Sequence, residues 1–161
     1  GALPAGVEVV VASDRPGLWE AAYERFGREV LADFAVYTPL EVSPERWAGE
    51  WTSAPTFLAV AEGEVIACAG VDIDPDDPVR GECGLTAVRR DWRGRGLATQ
   101  LKRVAMEWAA AEGLRELVTW TQANNTPMIG LNEKLGFRPG RVSIVVEESG
   151  EARNPTGQQE T

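Results

Sequence analysis

Val88-Arg89-Arg90-Asp91-Trp92-Arg93-Gly94-Arg95-Gly96-Leu97-Ala98 decides how this chain is read. The run Glu82 to Val88 leads into it as a strand. Behind it, Leu97, Leu101, Val104, Ala105 and Trp108 recur at helical spacing, which predicts a helix from Gly94 to about Glu112 that Gly113 stops. A helix start carries about four N–H groups with no internal partner and a partial positive charge. Gly94 and Gly96 remove the side chains that would shield those groups, so the entry reads as a cradle for a phosphate or diphosphate. The plain alternative is a solvated arginine loop in front of an ordinary helix. Charge favours the cradle. The chain has 25 acidic and 16 basic residues and a net charge of −9, yet Arg89, Arg90, Arg93, Arg95, Lys102 and Arg103 crowd here with only Asp91 beside them in sequence. A basic spot on an acidic chain points to a localised anion site and away from a broad nucleic-acid surface.

Two better-known phosphate loops do not fit. Nothing here has the Gly-Lys-Ser/Thr of a Walker loop, and the dinucleotide fingerprint fails where Thr99 stands in place of its last glycine or alanine. What remains is Arg93-x-x-Gly96-x-Ala98. A second string lies downstream: a strand over Leu117 to Thr121, then Asn125-Thr126-Pro127-Met128, then Leu131-Asn132-Glu133-Lys134-Leu135-Gly136-Phe137. Thr126 suits a helix N-cap, Pro127 the first helical position and Gly136 the C-terminal stop. Together the two strings resemble the GNAT superfamily of acetyl-CoA-dependent N-acetyltransferases, whose signatures are (Gln/Arg)-x-x-Gly-x-(Gly/Ala) and Asn-x-x-(Ala/Met) before a Leu-Gly-Phe ending. The match covers Glu82 to Phe137, and the rest of the chain fits by element order.

Length and composition set the frame. A chain of 161 residues with 43% hydrophobic content suits one globular domain. We take it as residues 3–147, with 148–161 as a disordered tail poor in apolar residues. No apolar run approaches the ~20 residues that span a bilayer, and Leu3 to Ala12 lacks the basic start of a signal peptide. Cys68 and Cys83 lie in apolar strand-like stretches and read as buried free thiols of a reducing, cytoplasmic compartment, with a disulfide as the alternative. Histidine is absent, which excludes Ser-His-Asp and Cys-His machinery and any histidine metal site. No metal and no nucleic-acid partner is expected, and the chain reads as a monomer or homodimer.

Along the chain, Glu8 to Ala12 reads as a first strand. Pro16 to Asp33 reads as one helix, carrying Trp19, Ala22, Tyr23, Phe26 and Val30 at helical spacing. Ser43-Pro44-Glu45 opens a short helix with Trp47 and Trp51. Phe57–Ala61 and Val65–Ile73 form a hairpin about Glu62-Gly63, Asp74 to Gly81 is a loop, and Val142 to Glu147 is a last strand. Strict alternation along Glu82–Val88 puts Glu82, Gly84 and Thr86 on one face and Cys83, Leu85 and Ala87 on the other, unless a bulge intervenes.

The resemblance implies an α/β (α+β) fold: a mixed, twisted, mostly antiparallel sheet of six to seven strands, about four flanking helices, and central strands that splay. It implies acetyl-CoA as co-substrate, with Ala87 and Val88 meeting the pantetheine. The amides of Arg93, Gly94, Arg95, Gly96, Leu97, Ala98 and Thr99 would meet the diphosphate, and Asn125 would bond the pantetheine from the opposite wall. Acetyl transfer to an amine needs a neutral nucleophile, a donor for the tetrahedral oxyanion and a tolerable leaving thiolate. The backbone N–H at or beside Val88 is the candidate donor. Glu82 is the first candidate base, with Asp72 and Asp74 behind it. Many members carry tyrosine where Asn132 stands; Asn132 cannot donate a proton as an acid but can hydrogen-bond the sulfur or hold a water, the alternative being that it simply packs near the cofactor. Cys83 as an acetyl carrier is the alternative to a structural thiol, and in sequence it lacks a neighbouring lysine or histidine. Trp19, Tyr23, Phe26, Tyr37, Trp47 and Trp51 read mostly as core, with Asp72, Asp74 and Asp76 near the mouth suiting a cationic amine. The second string resembles actinobacterial small-molecule acetyltransferases, including relatives of mycothiol synthase. The expected reaction is therefore acetylation of a small-molecule primary amine. The alternatives are a protein or peptide N-acetyltransferase and a catalytically silent CoA-binding module, as in half of a tandem protein.

Overall fold

A computed structural model describes residues 2–35, 40–49, 53–122 and 124–138. In chain order the elements are β1 (Val7–Val11), α1 (Pro16–Ala21), α2 (Phe26–Phe34), α3 (Pro44–Gly49), β2 (Thr56–Ala61), β3 (Glu64–Asp74), β4 (Asp77–Val88), α4 (Leu97–Ala111), β5 (Glu116–Val118) and α5 (Thr126–Lys134). The five strands among the described residues form one sheet in the order β1-β2-β3-β4-β5, antiparallel up to β4 and parallel between β4 and β5. This is the expected mixed, mostly antiparallel sheet with fewer strands than anticipated. The last strand and the tail foreseen after residue 141 lie outside the described residues.

β2 and most of β3 are buried on both faces, and their side chains divide between two cores. Leu58, Val60 and Cys68 join Trp19, Tyr23, Phe26, Val30 and Trp47 on the α1–α3 side. Phe57, Ala59, Ala67, Ala69 and Val71 meet Leu97, Leu101 and Ala105 of α4 on the other. Period-2 alternation places one strand's residues in both layers. Trp19, Tyr23, Phe26 and Trp47 are structural. Trp19 and Trp47 stack at 4.2 Å, and each indole N–H donates to the other's carbonyl. The Tyr23 hydroxyl donates to the Val42 carbonyl at 2.7 Å. Tyr37 and Trp51 lie outside the described residues.

Several expectations change. The single helix over 16–33 is broken into α1 and α2 by a 3-10 turn over Ala22–Glu24. A 3-10 turn aligns residues three apart, and Tyr23 and Phe26 both present their rings edge-on to Trp47. The loop expected over 74–81 is a tight turn, because the Asp74 carboxylate accepts from the Asp76 amide at 2.8 Å and closes it. β4 therefore starts at Asp77, five residues before the predicted Glu82. The strand expected over 117–121 pairs only over Glu116–Val118.

A bulge also overturns the strict alternation. Ala69 pairs with Thr86 but Val71 with Cys83, so Gly84 and Leu85 together oppose Gly70. Beyond the bulge Leu85 and Ala87 turn to the α1–α3 core, while Val88 packs on the α4 side. Glu82 stands opposite Asp72, and Cys83 opposite Val71 on the α4 face.

Candidate active site

The site begins where β4 loses a neighbour. Pairing with β5 ends at Glu82↔Val118, whereas β4 stays paired to β3 as far as Val88. From Cys83 onward no strand among the described residues covers the far edge of β4. The ladder fixes which groups that edge presents. Arg89 donates its N–H to the Ile66 carbonyl at 2.8 Å, so Arg89 and Ile66 form a hydrogen-bonded pair. Hydrogen-bonded and non-bonded pairs alternate in an antiparallel ladder. Cys68↔Ala87 is therefore bonded, and Ala67↔Val88 and Ala69↔Thr86 are not. The N–H and C=O of Val88 and Thr86 point away from β3, into the opening. Arg93 Nε reaches the Val88 carbonyl there at 3.1 Å. The backbone of Ala87 turns to β3 instead. Composition and motifs gave no sign of Thr86; the ladder's parity identifies it.

The same edge runs into the glycine loop. Gly94 and Gly96 have φ of +76° and +79°, and a Cβ at either would meet nothing within 4 Å. The left-handed backbone, not crowding, is what favours glycine there. Gly96 is the N-cap of α4 and supplies no side-chain cap. The amides of Leu97, Ala98 and Thr99 thus stand at an uncapped helix start, with no partner from the helix itself.

The arginines around the loop differ from the sequence picture of a nearly unopposed positive cluster. Acidic residues remote in sequence meet them. Asp33 of α2 accepts from both Arg90 and Arg93, and the Glu29 carboxylate accepts the Arg90 N–H at 2.7 Å. Arg89 is buried, paired with Asp91 at 2.6 Å, and lies 3.5 Å from Glu64. Burial pushes the Asp33 carboxyl up, but the hydrogen bonds from Arg90 and Arg93 outweigh it and hold it below the usual carboxylate range. Arg89, Arg90 and Arg93 are largely committed to fixing the loop. Arg95 stacks over Trp92 at 4.4 Å.

The opposite wall is α5. Thr126 was the expected N-cap, but Asn125 takes that role: its Oδ1 accepts the Met128 N–H at 3.4 Å, and Thr126 becomes the first helical residue. An asparagine carbonyl reaches the third helical amide as well as a threonine hydroxyl does. Gly136, at φ +95°, ends the helix as expected. The Phe137 N–H bonds the Asn132 carbonyl and the Gly136 N–H that of Glu133, the pairing of a Schellman stop.

Between the walls lies a buried polar cluster. Lys102 of α4 is 2% exposed and donates to Asn132 Oδ1 at 2.6 Å and to Thr119 Oγ1 at 3.3 Å. Asn132 is 5% exposed and donates through Nδ2 to Thr121 Oγ1 at 3.0 Å. The Phe137 ring covers the ammonium at 4.9 Å. Burial pushes the Lys102 pKa down, against the attraction of the Cys83 thiol. Burial also raises the Cys83 thiol, with the Lys102 charge and the Thr119 hydroxyl acting the other way. Cys83 thus has a lysine neighbour in space that the sequence does not place beside it. It and Cys68 are free, buried thiols, and burial pushes Cys68 up to about 12.

Of the candidate bases, Glu82 is half-buried and faces Asp72 across the ladder. Asp72 is engaged: it accepts from the Ser53 hydroxyl at 2.7 Å and the Ala54 N–H at 3.2 Å. Asp74 closes the β3–β4 turn. Among the described residues no group of three or more acidic or cysteine side chains could hold a metal, and no helix is long and apolar enough to cross a membrane.

The pattern described as the Acetyltransferase (GNAT) family matches residues 19–137. The chain belongs to this family. It is similar to the mycothiol acetyltransferase of Corynebacterium glutamicum strain R, 37% identical over 100 residues, which cover 62% of this chain and 34% of that protein. It is also similar to the L-methionine sulfoximine/L-methionine sulfone acetyltransferase of Pseudomonas aeruginosa, 39% identical over 79 residues, 48% of this chain and 46% of that one. The matched region thus spans about a third to just under half of these curated relatives. Among solved structures, Salmonella typhimurium yncA, solved with its cofactor acetyl-CoA, superimposes with a TM-score of 0.67 at 20% identity, over 83% of this chain and 80% of that one. The fold is that of the GNAT acetyltransferases.

Proposed function

We propose that this chain transfers the acetyl group of acetyl-CoA to a primary amine of a small molecule, in the cytoplasm. One observation carries the reading: the outward-facing backbone of Thr86 and Val88 on the open β4 edge continues directly into the uncapped amides of Gly94 to Thr99. That line of donors suits an extended amide-bearing arm ending in a diphosphate, which is the shape of CoA. The pantetheine lies along the β4 edge, with Asn125 opposite, and the diphosphate lies on the loop. Arg93 and Arg95 flank it.

The chemistry then falls at the far end of the edge, near the bulge. The outward N–H of Thr86, beside Val88 along the edge and next to the bulge, stabilises the tetrahedral oxyanion. Glu82 takes the proton of the attacking amine, directly or through water. It sits where β4 and β5 part, and Asp72 beside it adds negative charge suited to a cationic amine. The names of the two relatives, each with a small-molecule acceptor, support an acceptor of that class. The test is thiol release from acetyl-CoA across a panel of small amines, amino acids and peptides. Turnover with small amines above that with peptides is expected. Tight acetyl-CoA binding with no turnover on any amine would overturn the transferase reading and leave a binding module.

A further inference from the structure

Among the described residues no carboxylate pairs with the buried ammonium of Lys102. Among the described residues no ion pair includes it, and its two hydrogen-bond partners, Asn132 Oδ1 and Thr119 Oγ1, are neutral. An ammonium has three N–H donors, so one remains without an oxygen partner among the described residues. Burying an unpaired charge is costly, and an apolar side chain would fill the same space against Phe137 at less cost. The position of the cluster suggests what it serves. Cys83 is the first β4 residue past the last pairing with β5, and Thr119 and Thr121 follow β5 beyond that last pairing. Lys102, Thr119, Thr121 and Asn132 therefore sit at the fork of the opening, on the α4 face. A permanent carboxylate there would neutralise the charge, whereas neutral partners leave it for an anion that forms only during a reaction.

We propose that the Lys102 ammonium, held in place by Asn132 and Thr119, stabilises the departing CoA thiolate as an ion pair through its remaining N–H. The inference rests on the acetyl-transfer reading above. As the amine nitrogen forms its bond to the acetyl carbon, the C–S bond breaks and its electron pair goes to sulfur. The Lys102 ammonium donates a hydrogen bond to that sulfur and keeps its proton, so the product is held as a thiolate–ammonium pair. The thiolate takes up a proton from solvent as CoA leaves, and the proton lost by the attacking nitrogen goes to Glu82. Burial lowers the Lys102 pKa, and a thiolate formed beside it acts the other way and keeps the ammonium charged. The groups facing it are the Cys83 thiol from β4, the Thr119 and Thr121 hydroxyls beyond β5, Asn132 from α5 and the Phe137 ring. Asn132 is a positioning residue, acting through Lys102.

The test reads the bound cofactor before any turnover. CoA bound to the wild-type chain is titrated by the ultraviolet absorbance of its thiolate, alongside Lys102→Gln, which keeps a donor for Asn132, and Lys102→Met. In the wild type the thiol should titrate about one to three units below its ordinary value near ~8.5, and in either folded variant it should return to that value. In the transfer reaction Lys102→Gln should lower kcat about 100-fold with the KM for acetyl-CoA nearly unchanged. It should also remove the alkaline limb of the kcat profile. A wild-type-bound thiol that titrates at or above its ordinary value overturns the inference even if both variants misfold. So does an identical titration in wild type and variants, and in either case the transferase reading stands. A folded chain that gives no heat with CoA overturns both.

Discussion

Gly96→Ala isolates the diphosphate cradle from the fold. Gly96 holds φ at +79° with nothing within 4 Å of a Cβ, so alanine meets no clash and the cost is conformational. A left-handed backbone costs an L-residue roughly 1–2 kcal/mol. At about 2–4 °C per kcal/mol for a chain of this size, the melting temperature should fall by about 2–8 °C. Gly113, at φ +88° and equally unobstructed, ends the same helix far from the loop, so Gly113→Ala should cause a similar drop. The two variants should part in calorimetry with CoA. Alanine at Gly96 displaces or shields at least one amide that donates to a charged phosphate. A hydrogen bond to a charged group is worth about 1.5–3 kcal/mol, so affinity should fall about 10- to 100-fold. Gly113→Ala should bind as the wild type does. If both variants melt alike and both keep wild-type affinity, the loop amides do not hold the diphosphate and the reasoning fails.

Other expectations follow from the same geometry. Glu82→Gln should cut kcat by about 10²- to 10⁴-fold and remove the acidic limb of the pH profile while leaving CoA affinity intact; unchanged pH behaviour removes Glu82 as the base. Asp33 has a folded value below its unfolded one, so its contribution to stability is present above about pH 3.9 and is lost as pH falls through the lower folded value. Acid melts of Asp33→Asn should lack that loss, and a wild-type and variant difference that does not change with pH contradicts it. Leu101, fully buried against β2 and β3, should cost about 2–5 kcal/mol as Leu101→Ala in denaturant titration. Cys68 and Cys83 should resist a thiol reagent in the native state and react as the chain unfolds; rapid native labelling would place one of them at the surface.

The phosphate-binding half of the site was legible because its signals are local. Glycines needing positive φ, an amphipathic α4 and a glycine-stopped α5 all declare themselves within a few residues. The hairpin about Glu62-Gly63 and the two buried cysteines were legible for the same reason. What escaped the sequence depends on partners remote in the chain. Asp33 lies on α2, and nothing near it announces that it will clamp Arg90 and Arg93. The bulge at Gly84-Leu85 is an event between two strands, so a single-strand alternation assigned Thr86, Leu85 and Ala87 to the wrong faces. Lys102 reads as one of the basic residues crowded at the anion site, and only the folding of α5 over α4 buries it against Asn132. The swap of N-cap from Thr126 to Asn125 is smaller, since adjacent residues with similar capping ability compete.

Amide chemical shifts of the labelled chain, recorded as CoA is added, test the central claim most directly. The account predicts that the largest changes fall on Thr86, Val88 and the run from Gly94 to Thr99, with smaller ones at Asn125 and none at Gly113. Saturating CoA that leaves the Gly94–Thr99 amides unmoved would contradict it.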